Sequence, residues 1–195
     1  MLKTINERIR VAKEIKKQRL RDFDARHGVE FSHTVTGADS SNKDRHCFGY
    51  QPSFIMPNIF SYLNVGKQET LLDVGCGKGF AMHLFASLPF GRIDGIESKS
   101  ELAYITRENL SKLHPGDSRF HVFEVDARDF MNYRDYDVLY LFNPFDDTII
   151  EMICRKIGNY RPRRIIYQMP HYVDVFIRHG FGVEYIADAT VVLGR

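Results

Sequence analysis

The chain has 195 residues and a mass of 22.7 kDa, and 44% of its residues are hydrophobic, which favours one soluble domain with a core of its own. Lys and Arg number 27 against 25 Asp and Glu, so the net charge is only +2, which argues against a nucleic-acid binder that relies on a basic excess. No apolar run approaches the roughly 18 residues that span a bilayer, and residues 1–8 lack the apolar segment of a signal peptide.

Residues 1–26 are predicted to form one helix, because apolar side chains recur there every three or four positions. These side chains are Leu2, Ile5, Ile9, Ala12 and Ile15. The other face is rich in Lys and Arg. Two interpretations stay open: the apolar stripe packs on the body of the protein or on a second copy in a homodimer, or the basic face contacts RNA or an anionic membrane. Four acidic residues dilute the charge and favour the first interpretation.

Turn and loop residues dominate residues 27–58, and Pro52 and Pro57 bracket a segment that starts a short helix through Leu63. A stretch of this length is typical of a functional cover or of a partly disordered segment. We therefore expect two parts: residues 1–65 form an N-terminal helix and covering segment, and residues 66–195 form the main domain.

From Thr70 onward, short apolar or β-branched runs alternate with helical patterns. The predicted strands are 70–74, 92–96, 119–125, 137–142 and 164–169, and the predicted helices are 79–88, 99–113, 148–158 and 171–179. This alternation favours an α/β fold with a parallel sheet and helices on both faces, a three-layer αβα sandwich. Residues 183–186 and 190–193 indicate two more strands joined by a tight turn, so the sheet is predicted to end in an antiparallel hairpin.

Two helix starts resemble capping boxes, Ser98-Lys99-Ser100-Glu101 and Thr148-Ile149-Ile150-Glu151. Gly158 and Asn159 are predicted to close the second of these helices.

The three cysteines, Cys47, Cys76 and Cys154, are widely spaced and form no C-x-x-C pair. Their odd number predicts neither a disulfide framework nor a zinc site, and His46-Cys47 lacks a second pair at ligand spacing. We therefore expect a reduced, cytoplasmic protein without a metal.

The most informative stretch is 71–80, LLDVGCGKGF, in which a buried strand leads through glycines into a helix. Glycines allow positive φ and close approach of a ligand, and a helix start offers free N–H groups to an anion. The dinucleotide motif requires Gly or Ala where Phe80 stands, and Gly79 is not followed by the Lys of a Walker loop. We therefore predict an anion smaller than pyrophosphate, such as a carboxylate. Lys78 is expected to be a solvated residue or, alternatively, a substrate contact.

Two acidic residues point to a nucleoside ligand. Glu97 ends the second strand, 22 residues past Gly75, where an acid accepts hydrogen bonds from ribose hydroxyls. Asp126 ends the third strand, where it could accept from an exocyclic amine while the Ala127 N–H donates to a ring nitrogen. The alternatives are a surface charge beside a helix cap for Glu97 and a loop Asp for Asp126.

Together these residues resemble the class I S-adenosylmethionine-dependent methyltransferases. The motifs that carry the resemblance are 73–79 (DVGCGKG), Glu97, Asp126 and 143–145 (NPF). It covers residues from about 66 to 195, and the stretches 23–29, 49–53, 75–79 and 141–145 are similar to a bacterial group of such enzymes. The resemblance implies a Rossmann-like, mostly parallel seven-stranded sheet whose last strand is antiparallel.

The resemblance also implies a cofactor site for S-adenosylmethionine. Asp73, Gly75 and Gly77 would hold the methionine part, Glu97 the ribose, and Asp126 with Ala127 the adenine. The remaining predicted cofactor contacts are Tyr50, Gln51, Cys76, Gly79, Ser98 and Asn143.

The predicted catalytic residues are Asn143, Pro144, Phe145 and His171. The Asn143 amide can accept from an acceptor amine, and Pro144, without an N–H, leaves the Asn143 carbonyl free of a continuing helix. His171 follows the fifth strand and is either a general base or an exposed residue at a helix start. Amino-directed nucleic-acid methyltransferases carry two prolines after the Asn or Asp. The single proline here argues against an adenine or glutamine amide as substrate.

These expectations combine into a methyltransferase that acts on a small molecule or a protein side chain, with no metal, nucleic acid or membrane partner. One alternative is a non-catalytic module that binds S-adenosylmethionine or a nucleoside, and another is an RNA methyltransferase. A nicotinamide oxidoreductase is opposed by Phe80 in the third glycine position and by the lack of a second domain.

Overall fold

The computed structural model describes residues 5–32, 56–142, 145–159, 162–187 and 189–195. The strands are β1 (Thr70–Val74), β2 (Arg92–Glu97), β3 (Phe120–Glu124), β4 (Val138–Phe142), β5 (Arg164–Gln168), β6 (Gly182–Ala187) and β7 (Thr190–Gly194). The described helices are α1 (Ile5–His27), α2 (Met56–Tyr62), α3 (Phe80–Phe85), α4 (Ser100–Leu113), α5 (Asp147–Ile157) and α6 (Val173–Arg178), with a 3-10 turn at Tyr133–Asp135.

Seven strands of the described chain form one sheet in the order β3-β2-β1-β4-β5-β7-β6. Strands β1 to β5 pair in parallel, whereas β7 runs antiparallel to both β5 and β6. The predicted α/β sandwich with a terminal antiparallel hairpin is therefore confirmed. Because the parallel strands run in one direction, their carboxyl ends share one edge of the sheet.

The core lies on both faces of this sheet. Leu72 and Val74 of β1 belong to a buried cluster that includes Ile150 of α5, and Leu71 belongs to a second cluster with Phe85 of α3. Strands that are covered on both faces carry continuous apolar runs rather than an alternating pattern. Burying two faces explains why residues 138–141 are all buried and why the strand bounds could be predicted from composition.

Both predicted capping boxes are wrong, although the helices begin within one residue of the expected places. Helix α4 has Lys99 at its N-cap without a side-chain cap, because the Glu97 carboxylate accepts the Lys99 N–H at 3.0 Å. Helix α5 is capped by Asp146, whose carboxylate accepts the Ile149 N–H at 3.0 Å. In each case an acidic residue just before the helix accepts a backbone N–H at the helix start, and the predicted Ser98 and Thr148 hydroxyls are not the caps. Gly158 closes α5 as predicted.

Helix α1 contacts the rest of the protein through its C-terminal part. Ala12 and Ile15 of the predicted apolar stripe are exposed, with Ile15 at 49%, whereas Asp24 is buried. The stripe therefore does not pack on the body at these two positions, and a homodimer through the helix stays a prediction. None of the described helices combines the length and apolarity needed to cross a membrane.

Candidate active site

The predicted site residues that the structure describes lie at the carboxyl edge of the parallel strands. The glycine-rich loop, residues 75–79, follows β1; Glu97 ends β2, Asp126 follows β3, and His171 follows β5. Strand β1 lies between β2 and β4, so the strand order reverses beside the glycine-rich loop. In open α/β sheets such a reversal opens the crevice that binds ligands.

Two glycines of the loop meet different physical requirements. Gly75 adopts φ 83°, a left-handed conformation that is costly for other residues. Gly79, also at φ 83°, faces Thr106 of α4 so closely that an added Cβ would lie 2.6 Å from the Thr106 methyl carbon. The loop is therefore shaped both by its backbone angles and by the close approach of α4.

The amides of the loop are already used inside the protein. Gly75 and Cys76 both donate to the Ile96 carbonyl at 2.9 Å, and Gly79 donates to the Cys76 carbonyl at 2.8 Å. The Gly77 N–H donates to the Glu97 carboxylate at 3.1 Å. Acceptors on β2 and in the loop itself take these four N–H groups. The N–H groups expected to bind an anion are those at the start of the helix that follows, and that expectation stays a prediction.

Two buried carboxyl groups lie beside the loop. Asp73 is 2% exposed and Glu97 7% exposed. Burial, and secondarily the charge of Glu97, raises the pKa of Asp73 well above its usual range. Glu97 accepts hydrogen bonds from Gly77 and Lys99, whereas no residue in the described ranges donates one to the Asp73 carboxyl. A buried carboxyl without a donor is costly, so the arrangement favours a bound ligand that brings donors or positive charge.

The side chain of Cys76 packs beneath the loop rather than pointing into the crevice. A Cβ added to Gly95 of β2 would lie 2.8 Å from the Cys76 sulfur, which shows how closely that sulfur approaches the strand. Burial, followed by the charges of Asp73 and Glu97, raises the pKa of the Cys76 thiol well above its usual range. The thiol therefore stays protonated at neutral pH and is no nucleophile.

The residues predicted to contact adenine, Asp126 and Ala127, follow β3 and are held by hydrogen bonds to nearby residues. Asp126 accepts from the Arg128 guanidinium at two distances of 3.0 Å and from the Arg128 N–H at 2.9 Å. Ala127 is buried, and its carbonyl accepts from the Tyr133 hydroxyl at 2.8 Å. An adenine amine at Asp126 would therefore share the carboxylate with Arg128. The spacing of Asp126 and Arg128, two positions apart, is the feature of the sequence that could have predicted this ion pair.

Ser98, another predicted cofactor contact, is exposed and lies beside Glu97. Its hydroxyl donates to the Glu97 carboxylate at 3.5 Å. Glu97 thus lies between the loop, Ser98 and the start of α4.

The structure describes two of the four predicted catalytic residues, Phe145 and His171. Asn143 and Pro144 lie outside the described residues, as do Tyr50 and Gln51. Phe145 is buried in the same apolar cluster as Ile150. His171 is exposed, and its backbone N–H lies 3.4 Å from the Tyr167 hydroxyl. The catalytic roles therefore stay predictions.

Near His171 the backbone at this edge is strained. Met169 and Ala189 both adopt positive φ, 49° and 57°, although neither is glycine, and the Met169 N–H donates to the Ala189 carbonyl at 2.7 Å. Strain of this kind gathers at functional sites. The end of β5 and the start of β7 therefore belong to the candidate site.

Sequence reasoning missed the polar residues that hold the loop from outside. Lys78 is buried, not solvated, and its ammonium pairs with Glu30. Thr106 and Asn109 of α4 are buried and bond to the Gly77 and Lys78 carbonyls at 2.6 and 3.1 Å. The available signal was two polar residues three positions apart among the apolar positions of α4. Within the described ranges, no group of His, Cys, Asp and Glu is arranged to hold a metal ion.

A comparison with protein families finds one model that matches residues 50–147, half of the chain: protein-L-isoaspartate(D-aspartate) O-methyltransferase (PCMT). No curated protein matches the chain.

Solved structures share the fold at low sequence identity. Magnesium protoporphyrin IX methyltransferase from Synechocystis PCC 6803 with bound S-adenosylmethionine is 13% identical, with a TM-score of 0.60 over 92% of this chain and 96% of that one. The methyltransferase domain of bacterial CtHen1 is 15% identical, with a TM-score of 0.59 over 72% and 97%. Precorrin 8W decarboxylase from Methanobacterium thermoautotrophicum is 20% identical, with a TM-score of 0.58 over 74% and 90%.

Proposed function

The chain belongs to the protein-L-isoaspartate(D-aspartate) O-methyltransferase family of S-adenosylmethionine-dependent methyltransferases, and on that premise we propose that it methylates a small molecule or a protein side chain at the edge of β1 to β5. The observation that carries the proposed site is the pair of buried carboxyls, Asp73 and Glu97, beside the glycine-rich loop. Burial of two acids of the same sign favours a ligand with cationic and hydroxyl groups.

The residues fit the parts of S-adenosylmethionine, which carries an ammonium, a sulfonium, a carboxylate, a ribose and an adenine. Asp73, with no donor among the described residues, would accept from the ammonium beside Gly75 and Gly77. Glu97 would accept from the ribose hydroxyls in addition to its two backbone donors. Asp126 and Ala127 would receive the adenine. Four residues, Cys76, Gly79, Ser98 and Asn143, complete the proposed cofactor site, with Tyr50 and Gln51 as its cover.

Bound in this way, the cofactor supplies a methyl group activated by positively charged sulfur. The protein then has to align an acceptor lone pair with that methyl carbon and exclude water. We assign the alignment to Asn143 and Pro144 at the end of β4, with Phe145 as the apolar support behind them. His171 would remove a proton only from an acceptor that must lose one.

The acceptor is proposed from charge and family. A net charge of +2 over 195 residues gives no strong basic field for a nucleic acid. The family model is named for O-methylation of L-isoaspartate and D-aspartate in proteins, residues whose free carboxyl group offers the oxygen. A carboxylate is ionised at neutral pH, so its methylation needs no general base and would not depend on His171.

The experiment is transfer of a labelled methyl group from S-adenosylmethionine to a cell extract. We expect label in protein or in small molecules that survives ribonuclease and, for a methyl ester, is released by mild base. Label removed by ribonuclease would identify an RNA methyltransferase. Cofactor binding without any labelled product would indicate a binding module. A matched control is Glu97→Ala, which should remove most of the transfer.

We further propose the division into residues 1–65 as helix and cover and residues 66–195 as the catalytic domain. A cytoplasmic location is supported by the free, buried thiols of Cys76 and Cys154. A homodimer through α1 is supported by the exposed Ile15.

A further inference from the structure

Residues 24–32 contain the last turn of α1 and the turn that follows it, and hydrogen bonds within this segment hold its shape. Gly28 ends the helix at φ 66°, and the buried Asp24 carboxylate accepts the N–H groups of Phe31 at 3.0 Å and Ser32 at 2.7 Å. We call residues 24–32 the anchor segment. Its shape is set locally, by one acidic side chain that closes the turn.

An aromatic contact joins the anchor segment to α3, the helix that follows the glycine-rich loop. Phe31 is fully buried and meets the ring of Phe80 edge to face, with 5.0 Å between centroids. Phe80 is the first residue of α3 and directly follows Gly79. The apolar side of the anchor segment therefore lies at the end of the loop.

A polar contact fixes the same segment to the middle of the loop. Asn109 of α4 is 1% exposed and uses its whole amide: its oxygen accepts the Glu30 N–H at 2.9 Å, and its nitrogen donates to the Glu30 carbonyl at 3.3 Å and the Lys78 carbonyl at 3.1 Å. The Lys78 ammonium returns to the Glu30 carboxylate at 2.5 Å. One buried amide and one ion pair thus join the anchor segment, α4 and the loop.

The loop backbone at this junction leads directly to the proposed ribose carboxylate. Thr106 bonds to the Gly77 carbonyl at 2.6 Å, and the Gly77 N–H donates to Glu97. The Lys78 carbonyl is the next acceptor along the chain. A shift of that carbonyl would therefore tilt the Gly77 peptide and the Glu97 carboxylate that it orients.

From these contacts we propose that Asn109, Glu30 and Lys78 are positioning residues. They join the anchor segment to the glycine-rich loop. The anchor segment then sets the affinity for S-adenosylmethionine from outside the cofactor site. This inference rests on the proposed cofactor site. Because coupling is reciprocal, bound cofactor also stabilises the anchor segment.

The test compares two contacts that α4 makes with the anchor segment. Asn109→Ala should raise the Kd for S-adenosylmethionine by about 3- to 30-fold, the range for residues that act through others. Lys112→Ala is the matched control: three residues further along α4, its ammonium bonds to the Gly28 carbonyl at 2.9 Å and not to the loop. The control should stay within about twofold of the wild type, inside the spread expected for an uncoupled site.

A second readout separates positioning from general stability. In the wild type, S-adenosylhomocysteine should slow hydrogen exchange at the Phe31 and Ser32 amides, which bond to Asp24 rather than Asn109. In Asn109→Ala this protection should disappear. Should Asn109→Ala fail to fold, Glu30→Ala tests the same junction through its ion pair: it removes the contact with Lys78 but keeps the backbone bonds to Asn109, so Kd should rise and protection should weaken in the same direction by a smaller factor.

The outcomes are separable. A wild type that binds no S-adenosylmethionine overturns the proposed cofactor site together with this inference. A wild type that binds, and a Glu97→Ala that does not, with Asn109→Ala and Glu30→Ala both at wild-type Kd, overturns the inference alone. An equal rise in Lys112→Ala contradicts it as well, because loosening the segment anywhere would then suffice.

Discussion

The two halves of the carboxyl edge are built differently. Beside β1, β2 and β3, Asp73 and Glu97 are buried, and Glu97 accepts hydrogen bonds from the loop and from the start of α4. Beside β5 and β7, His171 and Met169 are exposed, and the backbone is strained at Met169 and Ala189. We call the first the donor half and the second the acceptor half, after the proposed positions of the cofactor and the methyl acceptor.

The two halves differ in how closely their residues define the ligand that each would bind. In the donor half, ligand chemistry is constrained by buried acidic residues and by a loop with three glycines at positive φ, where a side chain would be strained. In the acceptor half, exposed side chains can contact many kinds of substrate. The residues therefore indicate where a methyl acceptor would bind but not which chemical group it carries. Substrate identity therefore has to come from experiments on the acceptor half.

The largest expected effect concerns Asn143, the proposed aligning residue that follows β4 in the sequence. Asn143→Ala should lower kcat by about 10²-fold or more while the Kd for S-adenosylmethionine changes little, because misalignment acts on the chemical step. Steady-state kinetics on the methylated substrate, with calorimetry for the cofactor, would measure both. Asn132→Ala, an exposed Asn without a side-chain cap, is a matched control. A normal kcat in Asn143→Ala would reduce Asn143 to a turn residue.

The next effect lies in the donor half. Glu97→Ala should weaken cofactor binding by at least about tenfold, since charge-assisted hydrogen bonds contribute about 1.5–3 kcal/mol each. Glu124 is the natural control, because it pairs with Glu97 in register on β3 but is exposed. Calorimetry on Glu97→Ala and Glu124→Ala separates the site from the strand end. Equal affinities for the two variants would return Glu97 to the role of a helix-start acceptor.

A third prediction uses the raised pKa of Asp73. The folded protein without cofactor holds this proton more tightly than the unfolded chain, so Asp73 lowers stability as pH rises through the raised pKa. Asp73→Asn should therefore raise Tm at neutral pH, by about 2–4 °C for each kcal/mol in a chain of this size.

Cofactor binding should show the opposite trend. As pH falls through the raised pKa, Asp73 takes up a proton and the wild-type Kd for S-adenosylmethionine should rise; in Asp73→Asn the Kd should be high and the pH dependence lost. Thermal unfolding and calorimetry over a pH series test both halves of the prediction. A variant that is less stable, yet binds as the wild type does, would contradict it.

The smallest effect separates two kinds of acceptor. For an ionised carboxylate, His171→Ala should leave kcat within about threefold of the wild type, since general bases contribute about 10²–10⁴-fold only where a proton moves. His121→Ala is the control for loss of a histidine elsewhere in the protein; His121 is exposed on β3 and bonds to Asp94 of β2 at 3.0 Å. A loss of 10²-fold in His171→Ala would point to an acceptor that must be deprotonated.

Much of the fold could be predicted because buried strands of a parallel sheet carry local, continuous apolar runs. The bounds of β1 match, and the hairpin of β6 and β7 follows from two such runs near residue 188. The same local signals located the glycine-rich loop, Glu97 and Asp126.

The errors came from contacts between residues distant in the chain. Lys78 was expected to be solvated, and its burial depends on Glu30, 48 positions earlier. The Ile96 carbonyl of β2 accepts the Gly75 and Cys76 N–H groups, a pairing that the local sequence does not show. The Asp146 cap of α5 was missed for a different reason, since a capping box two residues later matched the sequence equally well. Local spacing carries no information on long-range pairing, so these features required the structure.

The most direct test of the account is hydrogen exchange of the full chain with and without S-adenosylmethionine, followed by mass spectrometry of peptides. We predict slower exchange on binding in peptides that cover residues 73–80, 97–99 and 125–128, and unchanged exchange in β6. Protection confined to residues 162–195, or equal protection by NAD at the same loop, would contradict a methyl-donor site built on Asp73 and Glu97.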